Sequence, residues 1–236
     1  MKTTAIVTGG TRGIGRAIVE KLQKENYNVY FTFSKSFEIS KEIENNYPDT
    51  SVRGFCINNN IKKVIDDILL ECSNVDLLVV NSGITRDNLF AIMEEKDWYE
   101  VHHVNHLQNF QLLQTIVKQM IYQKYGNIIF ISSIASFSGN LGQSSYASSK
   151  GAITSFSKNL SKELGQFGLR VNTISPGYID TDMTRSISSK SIKESIKTIP
   201  LKRFGKPEEI ASVVSFLSSE QASYINGANI VVDGGI

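Results

Sequence analysis

Glycines Gly9, Gly13 and Gly15 crowd the stretch TGGTRGIGRAI (Thr8 to Ile18), between an apolar run, TAIV, and a helix-like one, GRAIVEKL. A strand that turns abruptly into a helix needs glycine where the backbone takes positive φ. A phosphate can approach backbone N–H groups only where no Cβ stands in the way. The spacing is Gly-x3-Gly-x-Gly, which predicts a helix N-terminus at Gly13–Gly15 that cradles a pyrophosphate, a job shared by Gly9, Thr11, Arg12 and Ile14 in the same turn. A plain tight turn is the competing reading.

The rest of the chain repeats that strand-to-helix pattern. Short runs rich in β-branched and apolar residues recur at Thr3–Thr8, Val29–Phe33, Ser51–Ile57, Val75–Val80, Asn127–Ser132, Arg170–Ile174 and Asn229–Val232. Between them lie segments of helical periodicity at Gly13–Asn26, Phe37–Asn46, Ile61–Cys72, Glu94–Tyr122, Ser144–Phe167 and Pro207–Ser218. Strict alternation implies parallel pairing and right-handed crossovers. The expected fold is therefore α/β, a single doubly wound Rossmann-type domain over 1–236 with about seven parallel strands and helices on both faces. Ligands then belong at the carboxyl ends of the strands. One long polar segment, Gly177–Lys206, interrupts the alternation and reads as a substrate lid.

Composition supports one globular body. Apolar residues make up 41% of 236 and charged residues 20%, with only 4 prolines, which is ample for a core and little for a linker. The formal net charge of +2 announces no nucleic-acid partner, and no run approaches the length of a membrane span. The N-terminus reaches glycines before it can build a signal-like apolar stretch, so a cytoplasmic protein is expected. Cys56 and Cys72 read as reduced thiols. His102, His103 and His106 offer one i, i+4 pair without a third ligand, so no metal is expected.

Cofactor choice turns on the second strand. Dinucleotide sites that accept a free ribose 2′-hydroxyl place an acid at its end, whereas this chain reads VYFTFSKS, with Ser34 and Lys35 there. A hydroxyl and two cations, Lys35 with Arg12, suit a 2′-phosphate, which selects NADPH. Ordinary solvated surface charge is the alternative. Downstream, Tyr146 and Lys150 stand at i, i+4 on one helix face, and Ser133 ends the fifth strand. A neighbouring ammonium is expected to lower the phenol's pKa from about 10, letting Tyr146 give its proton to a carbonyl oxygen as hydride arrives at the carbon.

Together these motifs resemble, almost end to end, the short-chain dehydrogenase/reductase family: the Thr8–Gly15 motif, Asn81-Ser82-Gly83, Asn105, Ser133, Tyr146, Lys150 and Pro176-Gly177 all fall in its order. The resemblance implies that Ser133 polarises the substrate carbonyl, that Tyr146 is the general acid and that Lys150 also bonds the nicotinamide ribose. Asn105 would hold a water in the proton relay. Asn58 would lie beside the adenine, Asn81, Ser82 and Gly83 near the riboses, and Ile179 and Thr181, after Pro176-Gly177, beside the carboxamide. One departure is Val80, where the family usually has an asparagine; its loss is expected to alter local support of the strand.

Within the family the segments GITRDNLF (Gly83–Phe90), SPGYIDTDMT (Ser175–Thr184) and YINGANIVVDGG (Tyr224–Gly235) resemble the 3-oxoacyl-[acyl-carrier-protein] reductases. That resemblance implies NADPH-dependent reduction of a 3-oxoacyl thioester on acyl carrier protein to the (3R)-3-hydroxyacyl product. It also implies a homotetramer paired through Glu94–Tyr122 and Ser144–Phe167. A free ketone, a sugar or a coenzyme A ester stays open as substrate, as does a cofactor-binding regulator without turnover. Carrier docking is expected on a local basic surface: Arg185, Lys190, Lys193, Lys197, Lys202, Arg203 and Lys206 face one acid, Glu194, between Met183 and Lys206. Lys124 falls where carrier-docking reductases place a basic residue, and Phe167 stands where they often have an arginine.

Overall fold

A computed structural model of the chain describes residues 3–47, 51–57, 61–185 and 188–236. Seven strands form one wholly parallel sheet: β1 (Thr4–Val7), β2 (Asn28–Phe33), β3 (Val52–Cys56), β4 (Leu77–Val80), β5 (Gly126–Ile131), β6 (Leu169–Pro176) and β7 (Asn229–Val232). Their order is β3-β2-β1-β4-β5-β6-β7. The chain winds outward in one direction from β1 and in the other from β4, so the crevice above that pair is the place for a ligand. Each expected strand is present, with ends shifted by one or two residues.

Alternation along the strands divides the apolar core in two. Ala5, Val7, Leu77, Val79, Ile129 and Ile131 point to one face, where they pack with α1 (Gly13–Lys24), α2 (Phe37–Asn45) and α10 (Pro207–Ser218). Ile6, Leu78, Val80, Ile128 and Phe130 point to the other, against α3 (Ile61–Glu71), α5 (Phe110–Gln123) and α7 (Ser144–Leu164). Both faces are covered, which is why the strands read as unbroken apolar runs. Each fully buried isoleucine or leucine contributes about 1.5–3 kcal/mol of transfer free energy. Val80 belongs to this second core, so the residue that departs from the family pattern supports its strand by packing.

The segment Glu94–Tyr122, expected as one helix, is two. α4 (Glu95–Asn105) stops at Asn105, His106 takes φ −125° and ψ −61°, a 3-10 turn covers Leu107–Asn109, and α5 follows. Apolar periodicity runs through the break and hides it. Its cause is long-range: the Asn105 side chain is held by Ile84 and Ser149, as described below. The polar segment Gly177–Lys206 also has structure, with short α8 (Asp182–Arg185) and α9 (Ser189–Thr198). A one-turn helix, α6 (Ala135–Ser138), follows β5.

Candidate active site

The glycine turn is built by close approach. Gly9 and Gly13 have φ of +70° and +53°, which L side chains avoid. A Cβ on Gly15 would lie 2.1 Å from the Gly9 carbonyl oxygen, so the first turn of α1 rests directly on the backbone leaving β1. Asn81 fixes that turn from the tip of β4: its Nδ2 donates to Thr8 O (3.0 Å) and Gly9 O (3.2 Å). The Thr8 hydroxyl accepts in return from the N–H groups of Asn81 (2.9 Å) and Ser82 (3.0 Å). Asn81 is thereby spent on shaping the cradle. Gly10, which sequence reading passed over, sits on Phe31: a Cβ there would come within 2.5 Å of that side chain.

A nicotinamide dinucleotide fits this cradle. No side chain caps α1 and no acid stands in its first turn, so the leading N–H groups and the positive helix end are left to an anion. Thr181 closes against the turn, where a Cβ on Gly13 would lie 3.2 Å from its Cγ2. Ser34 and Lys35 stand exposed just past β2, and Arg12 is exposed across the turn. Among the described residues Arg12 and Lys35 make no ion pair. Asn58 lies outside the described residues. Pro176 pairs with Val232, and Gly177 donates its N–H to Val232 O (2.9 Å), bringing Ile179 and Thr181 back over the sheet edge.

The reacting groups gather beyond β4 and β5. Ser133 lies just past the end of β5; its hydroxyl accepts from Ala135 N (3.2 Å) and stands near enough to the Tyr146 phenol to lower its pKa. Lys150 is buried one turn along α7, its Nζ donating to Ile131 O (2.8 Å) and lying 5.8 Å from the centre of the Tyr146 ring. Ser132, another residue the sequence did not flag, donates to Lys150 O (3.0 Å) and pins α7 to the strand. Gly83 leaves room for this group: a Cβ there would sit 3.2 Å from Lys150 Nζ and 3.4 Å from Asn105 Oδ1. Asn105, buried at 1%, accepts from Ile84 N (2.7 Å) and donates to Ile84 O (3.0 Å) and Ser149 Oγ (2.9 Å). Both ends of its amide are engaged in tying the β4 loop to α7.

Burial dominates the electrostatics. It pushes the Lys150 ammonium down to about 8. It pushes the Tyr146 phenol above its ordinary value, against the lowering effect of the Ser133 hydroxyl and with the Asp87 charge adding to the rise. The expectation of a lowered phenol is thus reversed: desolvation is the largest influence on it, and the Lys150 ammonium directs a proton at Ile131 O. A protonated phenol beside a serine hydroxyl offers two O–H groups to one oxygen atom. Two of the three histidines pack: His102 stacks on Trp98 (4.7 Å) and bonds Ser148 Oγ (3.1 Å), His106 lies against Phe156, and His103 is exposed.

A dinucleotide cradle at the switch point and a paired Ser–Tyr hydroxyl over a buried lysine define a nicotinamide-dependent oxidoreductase. The chain belongs to the short-chain dehydrogenase/reductase family, and a family model described as enoyl-(acyl carrier protein) reductase matches residues 9–236. Named relatives are similar along their whole length. A 3-oxoacyl-[acyl-carrier-protein] reductase of Aquifex aeolicus is 43% identical over 98% of this chain and 96% of its own. One of Staphylococcus epidermidis is 37% identical over 100% and 99%. A third, from Vibrio cholerae, is 36% identical over 98% and 96%.

Proposed function

We propose that the protein reduces a 3-oxoacyl thioester on acyl carrier protein to the (3R)-3-hydroxyacyl product with NADPH, in fatty-acid or related synthesis. The observation that carries this reading is the placing of the Ser133 and Tyr146 hydroxyls beside buried Lys150, in a chain similar end to end to reductases of that name. A ketone oxygen gains negative charge during reduction, and two hydroxyls aimed at one oxygen stabilise that charge better than they would a carbon–carbon double bond.

Ser133 orients and polarises the ketone oxygen. Tyr146, protonated across neutral pH because its phenol is raised, hands over the proton as charge develops. The nicotinamide, when bound, supplies the hydride. Lys150 keeps ammonium donors beyond Ile131 O for the phenol side and for a ribose hydroxyl. Asn105 acts as a clasp holding Ile84 to α7, so that the Gly83 backbone stays against the lysine. Gly9–Gly15 and the uncapped start of α1 hold the pyrophosphate, and Arg12, Ser34 and Lys35 read the 2′-phosphate.

The site residues act within one domain whose lid is 177–206. Among the described residues no helix is long and apolar enough to cross a membrane, and both thiols are free; we place the protein in the cytoplasm. Exposed Tyr99, Leu107 and Phe110 along α4 and α5 support a tetramer paired on that side. Carrier docking uses Lys124, exposed in a left-handed conformation before β5, with half-exposed Phe167 nearby in sequence to β6. The lid is less basic in space than along the sequence, because Arg185 is paired with Asp180 (2.8 Å) and Arg203 with Glu209 (2.7 Å). The test is NADPH oxidation on matched 3-oxoacyl-carrier and 3-oxoacyl-coenzyme A substrates, over a range of salt. KM for the carrier substrate is expected to rise steeply with salt while KM for a small thioester mimic barely moves. Equal KM values at every salt concentration would refute carrier docking.

A further inference from the structure

Two loops frame the approach to Tyr146, one leaving β4 (Ile84–Met93) and one entering α7 (Gly139–Gln143). They are joined at two points. Asn88 N–H donates to Gly142 O (2.9 Å), and Gln143 Nε2 donates to the Asp87 carboxylate (2.9 Å). Gln143 is held from its other end by Asn140 Nδ2 (2.9 Å), and Asp87 also accepts from the Thr85 hydroxyl. Gln143 stands three residues before Tyr146, at the very start of α7. The charge on Asp87 is not cancelled by its neighbour, since Arg86 is committed to Glu100 by two bonds of 3.0 Å.

We propose that Asp87 is a specificity-determining residue: fixed across the mouth of the site by Gln143, its carboxylate admits neutral ketone substrates and turns away those with an acid group close to the ketone. The inference rests on the 3-oxoacyl reading above and deepens it. A 3-oxoacyl thioester is neutral at the carbonyl two carbons from its ketone, whereas the hydrolysed 3-oxo acid carries a full negative charge there. The Asp87 field reaches the Tyr146 phenol, raising it, so it also reaches a group bound next to that phenol. The charged or titratable groups facing Tyr146 are Lys150, below it on α7, and Asp87; Ser133 adds a neutral hydroxyl. Lys150 is buried beneath the phenol whereas Asp87 is exposed on the loop edge, so the carboxylate is the charge that an incoming group meets at the mouth.

The experiment compares acetoacetyl-N-acetylcysteamine with acetoacetate in the full-length enzyme with NADPH. Asp87→Asn keeps an acceptor for Gln143 and removes the charge, whereas Gln143→Met breaks the clasp and keeps the charge. Asp87→Asn is expected to raise kcat/KM for the acid relative to the thioester about fivefold, and high salt is expected to shrink the same preference in the unmodified enzyme. Gln143→Met should lower both substrates together. An unchanged acid-to-thioester ratio in Asp87→Asn would overturn the proposal. If neither compound is reduced, the 3-oxoacyl reading falls, and the charge claim is read from ultraviolet titration of the phenol against a Tyr146→Phe background. A downward shift in Asp87→Asn then supports it, and an unmoved phenol overturns it.

Discussion

The glycine turn and the proposed lid, 177–206, both lie at the carboxyl edge of the sheet, yet they are held differently. In the turn, backbone rests on backbone: Gly15 has no room for a Cβ beside Gly9 O, Asn81 reaches from β4 to donate to Thr8 O and Gly9 O, and the Thr8 hydroxyl accepts from the Asn81 and Ser82 N–H groups. In the lid, side chains on the surface do the holding. Arg185 clasps Asp180, Arg203 clasps Glu209, and Tyr178 stacks on Phe204 at 5.4 Å. Backbone closes the base at two points, the Ile179–Gly205 bridge and the Leu201 N–H donating to Gly234 O (3.2 Å). A ligand part that never varies can be met by a fixed backbone surface. A variable acyl group calls for a cover held by exchangeable contacts.

The largest effect that could break this contrast is at Gly15. Gly15→Ala should cost about 4 kcal/mol in chemical denaturation and abolish cofactor binding, because the methyl collides with main chain that cannot yield. Gly139→Ala is the control. Gly139 has φ +67° and ψ 139° but nothing within 4 Å of an added Cβ, so its cost should be conformational alone, about 1–3 kcal/mol. Similar costs at the two positions would show that conformation, and not close approach, is what the turn protects.

A smaller effect comes from Lys150, between the two regions. Its folded pKa of about 8 lies below the ordinary 10.5, so the folded state penalises the charged form. Sign and window follow: the penalty is present in full below pH 8 and fades as pH rises from 8 to 10.5, where the folded lysine has lost its proton and the unfolded one still holds it. Lys150→Met should therefore destroy turnover while stabilising the fold by about 2 kcal/mol at pH 7, after allowing for an Ile131 carbonyl left without its donor. Thermal melts at pH 7 and pH 10 check this, with the gain shrinking at the higher pH. A loss of stability at pH 7 would refute the account of the buried ammonium.

The smallest effect belongs to the lid clasp. Arg203, with the Lys206 N–H, holds the Glu209 carboxyl down to about 2. A depressed carboxyl contributes stability that is present above the ordinary 4.5 and is lost as pH falls through 2. The pair is solvent-exposed, so Glu209→Gln should cost less than about 1 kcal/mol and leave cofactor binding intact. Proteolysis of the 177–206 segment should speed up before any change in melting temperature. A large global loss would place the lid in the same structural class as the glycine turn.

Legibility in the sequence follows the same division. The strands, the glycine turn and the Tyr146–Lys150 helix face announce themselves because local periodicity and backbone need determine them. The break after Asn105 does not, since Val101, Leu113 and Ile116 keep the helical period on either side while a contact to Ile84 sets the stop. Gly10 against Phe31 and Asp87 against Gln143 are likewise partners far apart in the chain. The direction of the Tyr146 shift is hidden for a related reason: the lysine neighbour is visible at i, i+4, but the burial that raises the phenol is a property of the folded site.

The central claim is that this site reduces a ketone whose oxygen is flanked by Ser133 and Tyr146, hydride going to the carbon and the proton to the oxygen. It is tested most directly by offering the same acyl carrier protein loaded with a 3-oxoacyl or a trans-2-enoyl chain and following NADPH oxidation, in the unmodified enzyme and in Tyr146→Phe. The account predicts rapid oxidation with the 3-oxoacyl chain, none with the enoyl chain, and a loss of at least about a hundredfold in Tyr146→Phe with NADPH binding retained. Turnover of the enoyl chain in preference to the 3-oxoacyl chain, or a Tyr146→Phe enzyme close to full activity, would contradict it.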